Sequence, residues 1–182
     1  MATETTLMTA EEYAELLPES ASELVRGVVV ESDLEGARHG FVCANVASEL
    51  RNWARLDNRG AVVCNNHGLI TERHPDTVRG PDAYFISADR ISDEGLPEGW
   101  LEIPPDLCVE VLSPHDRWAA GLVKVSEFLA MGVREFWIVD PEEAVVHIYV
   151  ADAPPRNVRS GTSLSSPVLP GFSIDPKAFF EA

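Results

Sequence analysis

The N-terminal part of the chain alternates between helical and strand-like hydrophobic patterns. The capping-box pattern at residues 9–12 opens a short helix that we expect to end at Leu17, before Pro18. Residues 23–31 are typical of a strand, a tight turn and a returning strand, which predicts a β-hairpin. Apolar residues over 41–56 then recur at helical spacing and predict an amphipathic helix of about four turns.

The central part of the chain contains short apolar runs that predict strands rather than helices. We expect residues 61–64 and 83–86 to form core strands, residues 68–70 to continue the same sheet, and residues 76–80 to form a polar turn. Residues 87–105 are rich in glycine and proline, which predicts a long surface loop suited to a lid or to binding.

A strand–helix–strand unit is predicted next. Residues 107–112 form a third strand, a helix follows over 116–131 with Gly132 as its C-cap, and residues 133–139 form a fourth strand. Such a unit should be right-handed, with its two strands parallel. Residues 145–149 are then expected to form a strand at the edge of the sheet.

The C-terminal part is predicted to contain a turn-rich segment over 151–165, a packed apolar tail over 166–172 and a short helix near 177–180. The order of elements predicts one α/β domain covering residues 1–182. We expect a mixed central sheet flanked by helices, with an αβββαβ core preceded by the N-terminal helix and hairpin.

The composition is that of a soluble globular protein of 182 residues, with 45% hydrophobic and 24% charged residues. No apolar run is long enough to span a membrane, and the N-terminus lacks the segments of a signal peptide. Cys43, Cys64 and Cys108 lie among apolar neighbours and form no CxxC pair. We therefore expect free buried thiols in a reducing cytoplasm rather than a structural zinc site.

The net charge of −16 argues against tight nonspecific binding of nucleic acid, which depends on neutralised phosphates. Arg51, Arg55 and Arg59 recur at intervals of four and could line one helix face, but a solvated face is the favoured interpretation of this spacing. We therefore expect weak nonspecific DNA binding. Divalent cations, in contrast, are attracted to an acidic protein.

Two acids are the first candidates for chemistry. Glu110 interrupts an apolar strand, and a carboxylate buried there must be protonated, paired or bound to a cation; the alternative to metal ligation or catalysis is a salt bridge to a buried arginine. Asp82 follows Gly80-Pro81 at the start of another strand, where it either organises a turn or points into a site. Acids at the ends of two adjacent strands can approach one divalent cation.

Lys124 is the third candidate, because it is one of only two lysines among 14 basic residues. An ammonium is a compact point charge, whereas a guanidinium is broad and planar, so a lysine can sit close to a water or a phosphate. Lys124 lies at the border of its helix's apolar face, and the alternative is an ordinary solvated lysine. The buried stripe of that helix is expected to be Leu122, Val125, Phe128 and Leu129.

Two further residues are weaker candidates. Glu23 lies in the hairpin and is either a fourth site residue or a surface glutamate. His39 lies at the start of a helix and either contacts a phosphate or water or has an ordinary capping or surface role. Ser113 lacks the GxSxG context of a serine hydrolase.

Several short motifs follow one another along nearly the whole chain. They are Thr9-Ala10-Glu11-Glu12-Tyr13, Glu23-Leu24-Val25-Arg26-Gly27, Arg38-His39-Gly40, Pro81-Asp82, residues 105–114, Lys124 with Phe128, residues 132–141 and residues 167–172. In this combination and order the chain resembles the Uma2 family, formerly DUF820, whose members are predicted endonucleases with a restriction-endonuclease-like fold.

The resemblance implies the chemistry of PD-(D/E)xK nucleases, in which two acids hold Mg²⁺ and a lysine assists the attacking water. Carried over, Asp82 is the first acid and Glu110 the second, and Lys124 supplies the amine from the following helix. The chain departs from the motif at Leu112, which takes the usual lysine position. It also departs at Ala120, where similar chains tend to carry an aspartate.

The resulting hypothesis is a Mg²⁺-dependent endonuclease that hydrolyses DNA phosphodiester bonds, with Mn²⁺ as a substitute cation. Asp82, Glu110 and the carbonyl of Val111 would hold the cation. Lys124 would orient the water or stabilise the phosphate oxygens. Glu23 would assist a second metal or act as a base.

We also expect a homodimer, formed by pairing of strand 145–149 and the apolar tail across a two-fold axis, and no membrane partner. Two alternatives remain open at this point. The chain can be a non-catalytic binding or regulatory module on the nuclease fold, or a hydrolase of small molecules.

Overall fold

The computed structural model describes residues 7–16, 21–32, 34–113 and 118–181. The predicted end of the first helix at Leu17 and the predicted start of a helix at residue 116 lie outside the described residues. The helices are α1 Ala10–Glu15, α2 Ala37–Arg55, α3 Trp118–Met131 and α4 Lys177–Phe180. The strands are β1 Ser22–Val25, β2 Val28–Glu31, β3 Gly60–Cys64, β4 Leu69–Glu72, β5 Thr77–Arg79, β6 Ala83–Ser87, β7 Leu107–Val111, β8 Glu135–Asp140, β9 Val145–Tyr149, β10 Arg156–Arg159, β11 Leu164–Ser166 and β12 Leu169–Ile174.

A six-stranded mixed sheet forms the centre of the protein, with strand order β10-β9-β8-β7-β6-β3. Strands β7 and β8 are parallel and are joined through α3, whereas β3, β6 and β7 pair antiparallel. The helices α2 and α3 and the strands β3, β6, β7 and β8 therefore follow the predicted αβββαβ order. The mixed α/β architecture predicted from the sequence is confirmed.

The signals at helix ends act as predicted. The side chain of Thr9 accepts a hydrogen bond from the backbone of Glu12 at 3.2 Å, and the Glu12 side chain accepts one from the backbone of Thr9 at 2.8 Å. Gly132 has a φ of +109° and ends α3, because the following N–H of Val133 reaches back to the carbonyl of Phe128 at 3.0 Å. None of the helices in the described ranges has the length and hydropathy needed to cross a membrane.

A second sheet combines the predicted hairpin with two strands, β4 and β5, that were not predicted to join it. It has four strands in the order β2-β1-β5-β4, so β4 does not continue the large sheet, and residues 77–79 form strand β5 instead of a polar turn. Thr77 and Arg79 look like turn residues, but both are buried in β5, where partners from other segments satisfy their polar groups. The hairpin therefore belongs to a sheet that includes the segment leading into Asp82.

The prediction that residues 145–149 form an edge strand is wrong. Strand β10 pairs with residues 145–148 on the outer side of β9, and Arg156 lies opposite Ile148. Strand β10 was not predicted because three of its four side chains are polar, so that it resembles the turn-rich segment around it. The apolar tail is also occupied, because Leu169 and Phe172 belong to the main core. Strand β9 is therefore already paired on both sides and does not offer a free edge for a dimer.

The three arginines Arg51, Arg55 and Arg59 do not share one helix face. Helix α2 ends at Arg55, and Arg59 lies beyond it, where its guanidinium donates to Asp57 and packs 4.8 Å from the ring centre of Trp53. Arg51 and Arg55 remain exposed on the helix. The stripe expected on α3 is also shifted, since Leu122 is 46% exposed. The residues of α3 that are buried are Gly121, Val125 and Phe128.

The two faces of the six-stranded sheet are covered by different helices. Val109 of β7 packs in the cluster that includes α2, whereas Cys108 packs in the cluster that includes Phe128 of α3. Because successive side chains on a strand point to opposite faces, Glu110 lies on the α3 face with Cys108. The strand period thus directs Glu110 toward the helix that carries Lys124.

The start of β3 tests how tightly the sheet is packed. Gly60 has a φ of +150°, and a Cβ there would lie 2.1 Å from the carbonyl oxygen of Ile86. We expect Gly60→Ala to lower the free energy of unfolding by at least about 1–3 kcal/mol, since β6 must shift to make room. Urea unfolding measures this change.

The matched control is Gly99→Ala, because nothing lies within 4 Å of a Cβ built at Gly99. This substitution should change the free energy of unfolding by less than about 0.5 kcal/mol. Equal effects of the two substitutions would contradict the packing of β3 against β6.

Candidate active site

The predicted site residues line one cavity of about 880 Å³. Glu23 comes from β1, Asp82 immediately precedes β6, Glu110 and Val111 end β7, and Lys124 comes from the middle of α3. The cavity lies where the four-stranded sheet meets the end of the six-stranded sheet. Four elements that are distant in sequence therefore contribute to it.

Asp82 and Glu110 are held by different means. One oxygen of Asp82, Oδ2, accepts a hydrogen bond from the backbone N–H of Val111 at 2.7 Å, which fixes Asp82 against the end of β7. Glu110 is paired through Oε1 with the ammonium of Lys124. Its other oxygen, Oε2, is buried and has no hydrogen-bond partner among the described residues. Among the described residues the partner of Glu110 is Lys124 and not an arginine, which was the alternative left open by the sequence.

Lys124 is not an ordinary solvated lysine. Its side chain is 20% exposed, and its Nζ contacts Glu110 and lies 3.3 Å from Oε1 of Glu23. Burial alone would lower the pKa of Lys124, but the negative charges of Glu110 and Glu23 outweigh burial and raise it. The lysine is therefore held as an ammonium between two carboxylates.

Glu23 lies inside the pocket rather than on the surface of the hairpin. Its Oε1 accepts a hydrogen bond from the N–H of Gly80 at 3.1 Å, and its Oε2 accepts one from Arg79 at 2.8 Å. Burial tends to raise the pKa of Glu23, but the charges of Lys124 and Arg79 outweigh it and lower the pKa. Glu23 is consequently an ionised link between the lysine and the backbone that leads to Asp82.

Arg79 and Glu127 belong to this network and were missed in the sequence. The guanidinium of Arg79 donates to both carboxylate oxygens of Glu127, at 2.6 Å and 2.9 Å. One signal was available, because Glu127 lies three residues after Lys124 and so shares its helix face. The burial of Arg79, in contrast, depends on two acids from distant elements.

His39 and Cys43 form the other side of the pocket. Nε2 of His39 lies 3.3 Å from Oδ2 of Asp82. Burial lowers the pKa of His39, but the contact with Asp82 outweighs it, and the net effect is a raised pKa. Sγ of Cys43, one turn along α2, lies 3.5 Å from Nδ1 of His39.

The three cysteines are free, but only Cys108 is fully buried, whereas Cys43 is half-buried and Cys64 is exposed. The expectation that all three thiols are buried is therefore wrong. Cys64 is the last residue of an edge strand, where the side chain points outward despite apolar neighbours in sequence. Burial, with the nearby charge of Asp82, raises the pKa of Cys43.

The pocket has an excess of negative charge. Burial raises the pKa of Glu110 to about 7, and the charges of Asp82 and Glu23 act in the same direction, against the effect of Lys124. An unpaired buried carboxylate oxygen beside a second carboxylate fits an oxygen-ligated divalent cation. The carboxylates in or beside the pocket are Glu23, Glu31, Glu35, Asp82, Glu110 and Glu127, against the cations Arg79 and Lys124.

The mixed sheet between α2 and α3, with acids and a lysine at its end, defines a protein of the nuclease fold. The family model Uma2, described as "Putative restriction endonuclease", matches residues 10–177. The chain therefore belongs to the Uma2 family, as the motifs in the sequence predicted.

A solved structure from Anabaena variabilis ATCC 29413, described as "a putative nuclease belonging to DUF820", shares this fold. It is 18% identical in sequence, with a TM-score of 0.83, and the match covers 95% of this chain and 97% of that chain. No curated protein matches the chain.

The raised pKa of Glu110 predicts how stability depends on pH in the metal-free protein. An acid whose pKa is raised on folding stabilises the folded state fully below its ordinary pKa of 4.5, and this contribution is lost as the pH rises through about 7. Over that range we expect wild type to lose about 1–3 kcal/mol of unfolding free energy relative to Glu110→Gln. Urea unfolding in chelator at a series of pH values measures the difference.

Glu98→Gln is the control, since Glu98 is an exposed glutamate in the loop before Trp100. Its pH profile should run parallel to that of wild type. A constant difference between wild type and Glu110→Gln at all pH values would show that Glu110 titrates as it does in solvent.

Proposed function

We propose that this protein is a Mg²⁺-dependent endonuclease that hydrolyses DNA phosphodiester bonds, with Mn²⁺ able to replace Mg²⁺. Membership of the Uma2 family and the nuclease fold support a nuclease. The observation that carries the proposal is the buried Oε2 of Glu110, which has no hydrogen-bond partner in the described part of the chain and lies in the same pocket as Asp82 and Lys124. Oxygen ligands from Asp82, Glu110 and the backbone of Val111 would hold the cation.

The cation, when bound, supplies Lewis-acid charge that stabilises the negative charge developing on the phosphate. The protein's own residues orient the reactants. The ammonium of Lys124 donates to the attacking water or to the phosphate oxygens, because its raised pKa keeps it protonated. Lys124 contacts both Glu110 and Glu23, so with Glu110 engaged as a metal ligand its ammonium would still be held by Glu23 and could turn toward a substrate.

The contacts of Glu23 favour a positioning role over the role of a base. Its two oxygens already accept from Gly80 and Arg79 and lie beside Lys124. It can therefore hold the lysine in place when Glu110 turns to the cation. Assistance to a second metal would require Glu23 to give up these contacts.

The charge of the chain bears on the substrate and the partners. With a net charge of −16, DNA binding should be weak and should depend on the bound cation. The three free cysteines support a cytoplasmic protein. A homodimer, which would present two pockets to the two strands of a duplex, remains part of the proposal, and sedimentation of the purified chain tests it.

The direct test is cleavage of plasmid and linear DNA with Mg²⁺ or Mn²⁺. We expect Asp82→Asn and Glu110→Gln each to lower the rate by about 100-fold or more, since each removes an anionic ligand. Glu98→Gln, on the exposed loop, should cleave like wild type. Equal nicking by all proteins would indicate a contaminant, and the absence of cleavage by wild type would favour a non-catalytic module.

The two lysines allow a matched test of Lys124. Lys124→Arg keeps the charge but replaces a compact ammonium with a planar group too broad for the space between Glu110 and Glu23. We expect it to lower the cleavage rate by about 100-fold. Lys177→Arg changes the only other lysine, which is exposed on α4, and should leave the rate unchanged.

Both lysine variants should bind Mn²⁺ with the affinity of wild type or more tightly, which calorimetric titration measures. Full activity of Lys124→Arg would contradict the proposal that cleavage requires an ammonium group at position 124.

A further inference from the structure

We propose that His39, Cys43 and Asp82 form a cation site of their own, selective for a borderline divalent cation of the zinc and cobalt class. This site does not depend on nuclease activity, although it shares Asp82 with the proposed Mg²⁺ site. The three side chains each offer one ligand atom, and these atoms lie within 4.8 Å of one another.

The separations of the ligand atoms fit a tetrahedral site. With metal–nitrogen and metal–oxygen bonds of about 2.0 Å and metal–sulfur bonds of about 2.3 Å, tetrahedral ligands lie about 3.3 Å apart for N and O, and about 3.5 Å apart for N and S. Nε2 of His39 lies 3.3 Å from Oδ2 of Asp82 and 3.8 Å from Sγ of Cys43. The nitrogen therefore already has nearly the required separations from the other two ligands.

The elements that carry the ligands favour a preformed site. His39 and Cys43 are four residues apart on α2, so their side chains are neighbours on one helix face. Asp82 is fixed from the opposite side by its hydrogen bond to the backbone of Val111. Both α2 and β6 are packed in the main core, so little ordering is needed when a cation binds.

The ligand atoms distinguish this site from the proposed Mg²⁺ site of Asp82 and Glu110, called the two-acid site below. Imidazole and thiolate suit zinc and cobalt, whereas carboxylate and carbonyl oxygens suit magnesium and manganese. Binding would release the thiol proton of Cys43 to solvent as the sulfur–metal bond forms. Three protein ligands leave a fourth position, and because all three residues line the cavity, a water or substrate atom can take it.

The sharing of Asp82 makes the two sites interdependent. A cation held by His39 and Cys43 would also be bound by Asp82, and its positive charge would repel a Mg²⁺ ion bound to the same carboxylate. Zinc-class cations would therefore alter the affinity of the pocket for Mg²⁺, and Mg²⁺ would alter the affinity for zinc by the same factor.

The test is titration of the metal-free full-length protein with Co²⁺, followed by absorption spectroscopy. A cobalt–thiolate bond gives a charge-transfer band in the near ultraviolet, which oxygen ligands do not give. We expect wild type to show this band, Cys43→Ala to lose it, and Cys64→Ala, which removes an exposed thiol of the same cavity, to keep it. His39→Ala should weaken Co²⁺ binding by at least about 10-fold, since even loss of an outer-shell partner costs that much.

A second measurement uses wild type alone, in case the Cys43 variant does not fold. Zn²⁺ should slow alkylation of Cys43 and leave alkylation of Cys64 unchanged, as mapped by mass spectrometry. Cobalt binding without the near-ultraviolet band, persistence of the band in Cys43→Ala, or unprotected Cys43 would each overturn the proposed site. Those results would leave the two-acid site standing, because DNA cleavage and Mn²⁺ binding test it separately.

Discussion

The burial of one carboxylate on an otherwise apolar strand is the constraint on which the site depends. Glu110 cannot occupy its place on the α3 face of β7 without a counter-charge, and Lys124 provides it from the adjoining helix. Lys124 also forms an ion pair with Glu23. Glu23 in turn pairs with Arg79, and the guanidinium of Arg79 pairs with Glu127. Charges alternate along these five side chains, so each is oriented by its neighbours, and among the described residues Oε2 of Glu110 is the one carboxylate oxygen of this network left without a hydrogen-bond partner.

The four-stranded sheet is part of the site and not an appendage to the large sheet. Strand β5 ends at Arg79, and after Gly80-Pro81 the chain reaches Asp82 and enters β6. Gly80 has no space for a side chain, because a Cβ there would lie 2.6 Å from the carbonyl oxygen of Asn66. The passage between the sheets is thereby fixed within a few residues, and it places an arginine of one sheet and an aspartate of the other at a single pocket.

The sequence predicted those features that are unusual within one segment. An acid inside an apolar strand marked Glu110, and the scarcity of lysine marked Lys124, so both could be found without coordinates. Arg79 could not, because in sequence it belongs to a polar stretch and its burial depends on Glu23 and Glu127. Strand β10 was missed for a similar reason, since its mostly exposed side chains hide a strand whose backbone pairs fully with β9. Cys43 carries no local signal, because Asp82 approaches it only through the fold.

The bridge made by Arg79 has a consequence for how this protein can diverge. Its guanidinium joins a hairpin strand to α3, with Glu23 and Glu127 as the two supports. Loss of the arginine would leave two partly buried acids facing each other, and loss of either acid would leave a buried cation half-satisfied. Drift at these three positions should therefore be correlated: relatives that lack one member of the bridge should have replaced the other two, and such covariation can be read from natural sequences without any structure.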